Sequence, residues 1–327
     1  MQTGRIVLYT DVEEITYKNV IDVLRNAMTD HRVNAARIRY LMEYDEGNQP
    51  LKRKKKVRTD IDCHCVDNVA NEITEFWSSF GFGNPITLVQ TGDTEDKEIA
   101  EGVKNLNKQY NLVKIKTKTQ EIARPMLIGA ICNVLIDVNT EWKPGKAYFT
   151  YDVLNPMTSF VIKSSYYADR RTMLGVTFRH DKNSGSTYYT CYSKDSRYEI
   201  RDMNKIINGD AVEDDANKWK HEERSGEKNP LGVVPIVEYF RSYDRMGVWE
   251  RQISEMDNLN LMISDFSNDV DQNTQAIWHT NDVDFPTVEE KNEDGTVTES
   301  VRKPKSGEWM QTYTASDGKT PIVEALA

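Results

Sequence analysis

The sequence predicts an α+β protein. Three observations carry that prediction. Apolar residues recur at helical spacing through most of the first 132 positions. From 133 to about 240, β-branched and aromatic runs alternate with turn residues. A seven-residue periodicity then returns over 246–275.

Residues 11–44 read as helix, capped by Thr10 or Asp11, with Ile15, Val20, Val23, Leu24, Ala27 and Met28 on one face. A second helical piece runs from about Asn34 to Glu43 and stops near Gly47. Residues 47–58 are a loop with a basic cluster. Residues 66–80 return to helix, with Val69, Ile73, Phe76 and Phe80 on one face, until Gly81 to Pro85 stop it. Polar helices are expected over 94–111 and 119–132. NVLIDVN, KAYFTYDVL and TSFVIKSS then read as strands, and MLGVTFRH–DKNSG–STYYTCYS as a hairpin to which RYEI adds a strand. Residues 208–230 are a charged loop, and LGVVPIVEY is a strand-like run interrupted by Pro235.

The helix over 246–275 carries the clearest signal. Trp249, Met256, Ile263 and Val270 are spaced by seven, with Leu259 and Phe266 interleaved, and together they form an apolar seam. Such a seam suits packing on a neighbouring chain or on the helix's own domain. Opposite it, Glu250, Asp257, Asp265, Asn268 and Gln272 form a polar, largely acidic stripe. Beyond this helix, residues 286–301 read as a hairpin turning at Asp294-Gly295, with Glu289, Glu290, Glu293 and Asp294 at an acidic tip. TPIVEALA reads as the first turns of another helix with Pro321 near its start. A helix of two turns buries little, so the natural polypeptide or its partner contacts are expected to continue.

Composition narrows the class. The chain has 327 residues, 38% hydrophobic and 29% charged, with a net charge of −10. It is polar for a compact enzyme of this size and suits an elongated molecule or a subunit covered by neighbours. Its 16 Tyr, 9 Phe and 6 Trp argue against disorder. The acidic balance argues against a tight grip on phosphates. No run of about 18 apolar residues suggests a membrane span.

Catalytic motifs are sparse. Cys63-His64-Cys65 invites a zinc reading, but a closed site needs four ligands, and Cys132 and Cys191 are distant singletons in apolar segments. Neither Asp93–Asp96 nor Glu213–Asp215 has the spacing of a calcium loop. Gly318-Lys319-Thr320 lacks the first glycine of a phosphate loop, because Tyr313 stands there. The basic run Lys52–Lys56 with Arg58 has no interleaved aromatics for stacking on bases. The expectation is a non-enzyme with no cofactor and no metal.

Five stretches together carry a family resemblance: YLMEYDEGNQPLKRKKK, DNVANEITEFWSSFGFGNPITL, DVLNPMTSFVIKSS, NPLGVVPIVEYFRSYDRMGVWERQISEMDNLNLMISDFSNDVDQ and PIVEALA. In this order they resemble blocks of the portal proteins of tailed bacteriophages, of the branch typified by long-tailed phages of Gram-positive hosts. They span about two-thirds of the chain. Gly247-Val248-Trp249-Glu250 departs from the family's Gly-Asp-Phe-Glu, and Cys-His-Cys is unusual.

The resemblance implies a portal-type fold: a mixed wing domain over 1–240, a first stem helix over 241–276, a small β-rich clip over 277–319 and the start of a second stem helix over 320–327. The family continues with a tunnel loop, a long wing helix and a crown. The resemblance further implies a ring, usually of twelve subunits, at one capsid vertex of the virion, assembled in the host cytoplasm. Double-stranded DNA is packaged and ejected through it. Implied partners are the terminase large subunit, head-completion or adaptor proteins, and the major capsid and scaffolding proteins. The seam would then pack subunits, the acidic stripe would face the DNA channel, and the hairpin tip would dock partners. The rival readings are a metal-dependent phage nuclease or hydrolase and a helical adaptor.

Overall fold

The structure is a computed structural model. It describes residues 4–51, 62–84, 86–91, 97–139, 142–207 and 227–274, and after these the backbone of short strands between 277 and 326. The chain divides into two compact units. The first comprises Met1–Pro50 and Asp67–Asp257, and the second Leu51–Val66 and Asn258–Ala327.

The first unit begins with strand β1 (Leu8–Thr10) and helix α1 (Val20–Asp45). The helix expected from residue 11 in two pieces is therefore one unbroken helix that starts nine residues later. Asn19 explains the late start. Its side chain accepts from the Thr16 amide at 2.8 Å and donates to the Glu14 carbonyl at 2.9 Å, locking a loop that competes with helix. The residues before that loop pair parallel to a distant strand, Leu8 opposite Ile162. Gly47, at φ +94°, follows the helix end in a conformation that favours glycine.

Helices α2 (Val69–Phe82), α3 (Lys97–Leu112) and α4 (Ile115–Gly129) follow. The Asn68 side chain accepts from the Asn71 amide and caps α2. Strands β2 (Ile131–Val138), β3 (Phe149–Leu154), β4 (Ser159–Ser164), β5 (Thr172–His180), β6 (Thr187–Tyr192), β7 (Ser196–Arg201), β8 (Lys205–Ile206), β9 (Glu227–Lys228) and β10 (Ile236–Phe240) complete the unit. They form a sheet ordered β1-β4-β5-β6-β7-β8, with β9 also on β7, and a three-stranded sheet ordered β10-β2-β3. The β-rich stretch and the hairpin at 173–193 lie where the sequence puts them. Strand β10 starts immediately after Pro235, which supplies no amide to a ladder.

Val20, Leu24 and Met28 of α1 pack on Ile162, Leu174, Val176, Cys191 and Ile200 of the large sheet. Each such side chain contributes about 1.5–3 kcal/mol when fully buried. The two sheets meet through Val161, Tyr192 and Ile236. Gly175 makes that approach possible, since a Cβ there would lie 2.8 Å from the Ile236 Cβ.

In the second unit, helix α5 (Ile253–Thr274, entered through a 3-10 turn at Glu250–Gln252) continues past Asn258. Among the described residues, six short strands form three antiparallel pairs nested in sequence. β11 (Ile277–Asn281) pairs with β16 (Ile322–Leu326), β12 (Val283–Asp284) with β15 (Gln311–Thr312), and β13 (Thr287–Lys291) with β14 (Val297–Val301). The last pair is in a register centred on residue 294, and the turn itself lies outside the described residues. Ile322–Leu326 is thus a strand and not the helix expected at 320–327. Two β-branched residues open it, and pairing with β11 satisfies backbone groups that a two-turn helix leaves open.

Candidate functional site

The residues around α5 were singled out by sequence, and the structure divides them. In the first unit, Trp249 is almost fully buried and packs with Met256, Leu41, Tyr44, Ala70 and Ile128. Its Nε1–H donates to Thr74 Oγ1 at 2.9 Å, and the Thr74 hydroxyl lies 2.6 Å from Asp45 Oδ1. Arg124 donates to the other Asp45 oxygen at 2.9 Å. Tyr44 stacks on Trp249 and donates its hydroxyl to Asp257 Oδ1 at 2.8 Å. Burial, with the Asp257 hydrogen bond and charge, pushes the Tyr44 hydroxyl pKa well up.

The Glu250 side chain is largely covered as well. It pairs with buried Arg5, lies 3.6 Å from Arg37, and accepts the Gly247 amide at 2.9 Å. Nearby, Arg245 forks onto Glu238, which also receives Lys163 at 2.9 Å. These ionic contacts clamp the chain just before α5. Glu250, expected on the channel stripe, is instead committed to Arg5. Trp249 and Met256, expected in a subunit seam, belong to their own unit's core.

Within the second unit α5 has three distinct faces. Asn260, Ser264 and Asn268, spaced by four, are buried. The extended segment at 62–66 lies along them. Its Cys63 amide donates to Asn268 Oδ1 at 2.8 Å and its Cys65 amide to Ser264 Oγ at 3.0 Å. Cys63 Sγ reaches Asp271 at 3.3 Å, and Cys65 Sγ lies 3.5 Å from the Ser267 hydroxyl. The Cys-His-Cys motif is therefore part of a strap on the helix. Asn268, expected to face a channel, holds this strap. The signal for the strap is an Asn-x3-Ser-x3-Asn spacing that the seven-residue periodicity overshadows.

On the second face Leu259, Met262, Phe266 and Val270 are exposed and Ile263 is half-buried. Met262 was missed because it falls outside the strict seven-residue spacing. The third face carries Asn258, Asp265 and Asp269, which lie within about 40° of each other on a helix of 100° per residue, and all are exposed. Asp269 was also missed. Asp257 is half-buried beneath Tyr44. The Gln272 side chain and those of Glu289 and Glu290 lie outside the described residues, as do Glu293 and Asp294 altogether.

A helix with an apolar face left open and an acidic face beside it suits a subunit that assembles around something anionic without binding it. Comparison with known families decides between the readings. The family model for "phage portal protein, SPP1 Gp6-like" matches residues 25–324. The chain belongs to the phage portal proteins. A search of curated proteins returned no match. Portal proteins are structural components of the virion capsid and form the ring through which phage DNA is packaged. The match follows the Gram-positive phage branch whose blocks the sequence resembles, and it supports neither the nuclease nor the adaptor reading. Among the described residues, no helix of this portal protein is long and apolar enough to cross a membrane.

Proposed function

We propose that this portal protein assembles through the open apolar face of α5 and presents the adjoining acidic face to DNA. The three-way division of that helix is the observation that carries the reading. One face is covered by the chain's own strap. The apolar face, with Leu259, Met262 and Phe266 exposed and Ile263 and Val270 beside them, is assigned to a neighbouring subunit. The face with Asp265 and Asp269 is assigned to the channel. An acidic wall repels phosphates, so DNA slides without the salt-dependent affinity that each phosphate contact adds.

In this reading the first unit is the wing, α5 the first stem helix, and the nested strand pairs the clip. The ring has twelve copies, and DNA leaves through it on ejection. The hairpin tip with Glu289, Glu290, Glu293 and Asp294 receives the terminase large subunit and later the head-completion adaptors. Major capsid and scaffolding proteins surround the ring during assembly in the host cytoplasm.

Phe266→Asp tests the assembly face. A charge in a dry contact costs several kcal/mol, so the variant is expected to remain folded and to lose rings in native mass spectrometry. Full-size rings from Phe266→Asp would place the subunit contact elsewhere.

A further inference from the structure

The second half of α2 leaves three large aromatic side chains open to solvent. Phe76, Trp77 and Phe80 are 61%, 43% and 75% exposed. The sequence pattern puts Phe76 and Phe80 on one helix face with Val69 and Ile73. Only Val69 and Ile73 pack on the core around Trp249.

The three rings are already ordered against each other. Phe76 and Phe80 stack with centroids 5.8 Å apart and planes 4° apart, and Trp77 meets each of them edge-on. After the helix, the Asn107 side chain brackets the Leu88 backbone, accepting its amide at 3.0 Å and donating to its carbonyl at 2.8 Å. Ile86 and Val89, on either side of that bracket, are exposed as well. A surface of this kind loses little rotamer freedom when it is covered.

The surroundings point to what covers it. Residues 76–92 form the longest stretch of the chain without Asp, Glu, Lys or Arg, in a sequence that is 29% charged. Loss of charge with enrichment in Trp and Phe is the composition of a contact centre. The chain carries a net charge of −10, so two copies repel wherever their acidic surfaces meet. A charge-free aromatic patch is where like copies can touch. Taking 150–250 Å² per aromatic side chain and the exposures above, the trio offers roughly 300–400 Å². That is about half of the 800 Å² that each partner gives to a standard interface. A closed ring of identical subunits needs two unlike patches on every copy, one for each neighbour.

We propose that Phe76, Trp77 and Phe80 are the centre of a contact with the next copy of this chain in the portal ring. The proposal rests on the ring reading and adds to the stem a second contact, carried by the first unit. An uncharged patch also makes this contact insensitive to salt.

The test is Phe80→p-benzoylphenylalanine, irradiated in purified rings. The expected product is a two-chain adduct in the ring fraction that is absent from monomer fractions. Rings that form normally and give no two-chain adduct overturn this contact and leave the ring reading standing. A wild-type chain that forms no ring under any condition overturns both. In infected cells, an adduct with a capsid protein and none between copies also overturns the proposal. As a second variant, Trp77→Ser with Phe80→Ser is expected to keep its far-ultraviolet circular dichroism and lose at least tenfold in ring yield at matched concentration. Undiminished yield would count against the contact.

Discussion

Tyr44 and Trp249, 205 positions apart in sequence, stack with ring centroids 5.4 Å apart and planes 28° apart. Each also has a polar anchor, Tyr44 in Asp257 and Trp249 in Thr74. Helix α1 and the first turn of α5 are thereby built into one core. Arg5 and Glu250 add an ion pair on the same stretch of chain.

Trp249→Ala is therefore expected to act on folding. Removing a buried indole costs about 3–5 kcal/mol, and here it also leaves the Thr74 hydroxyl without its donor. The denaturant midpoint of the isolated subunit should fall accordingly. Phe266→Ala, on an exposed side chain, should shift it by less than about 0.5 kcal/mol. Equal shifts would mean that Trp249 is not part of that core.

The strap gives an exchange signature. Asn268→Ala removes the acceptor of the Cys63 amide, and a lost buried hydrogen bond costs about 1–3 kcal/mol. Hydrogen exchange at Cys63 and Cys65 should accelerate while α1 amides keep their protection. Unchanged protection at Cys63 would refute the strap.

His31 predicts acid sensitivity. The ring lies against Phe160 and Phe178, with Nε2 3.0 Å from the Met157 carbonyl. Burial holds its pKa below the usual 6.5, despite the Met157 hydrogen bond. A depressed histidine pKa means that the unfolded chain binds the proton more readily. The contribution is whole above 6.5 and is lost as pH falls through the lowered value. Glu238 acts lower still. Burial disfavours its charge, but Arg245 and Lys163 outweigh that and hold it below the usual 4.5. The thermal midpoint should drop between about pH 7 and 5, and His31→Gln should flatten that slope. A slope identical in the variant would assign the acid loss to other groups.

At the hairpin of β13 and β14, charge reversal at Glu290 and Glu293 should slow association of the terminase large subunit at low salt, because rim charges act mainly on encounter rates. Ring assembly should be unchanged. A defect in assembly itself, or equal association rates, would remove the tip from the docking surface.

Much of this was legible in the sequence, for reasons that can be stated residue by residue. The strands at 131–138 and 172–192 carry their own alternation and turns, so local chemistry locates them. Strand β1 has three residues and exists only because Ile162 to Ser164 lie alongside, which no local pattern reveals. The seam of α5 was visible as a periodicity, but periodicity does not name a partner. Trp249 and Met256 found theirs in the core with Tyr44 and Ile128, while Phe266 is 71% exposed. Glu250 and Asn268 looked like exposed polar residues. Each instead meets a donor from a distant segment, Arg5 for Glu250 and the Cys63 amide for Asn268.

Asp265 and Asp269 are proposed to face the DNA. Asp265→Lys with Asp269→Lys, assembled into rings and titrated with duplex DNA across a range of salt, tests it most directly. Binding that the wild type lacks is expected, with an affinity that falls as salt rises. Intact double-variant rings that show no binding at low salt would contradict it.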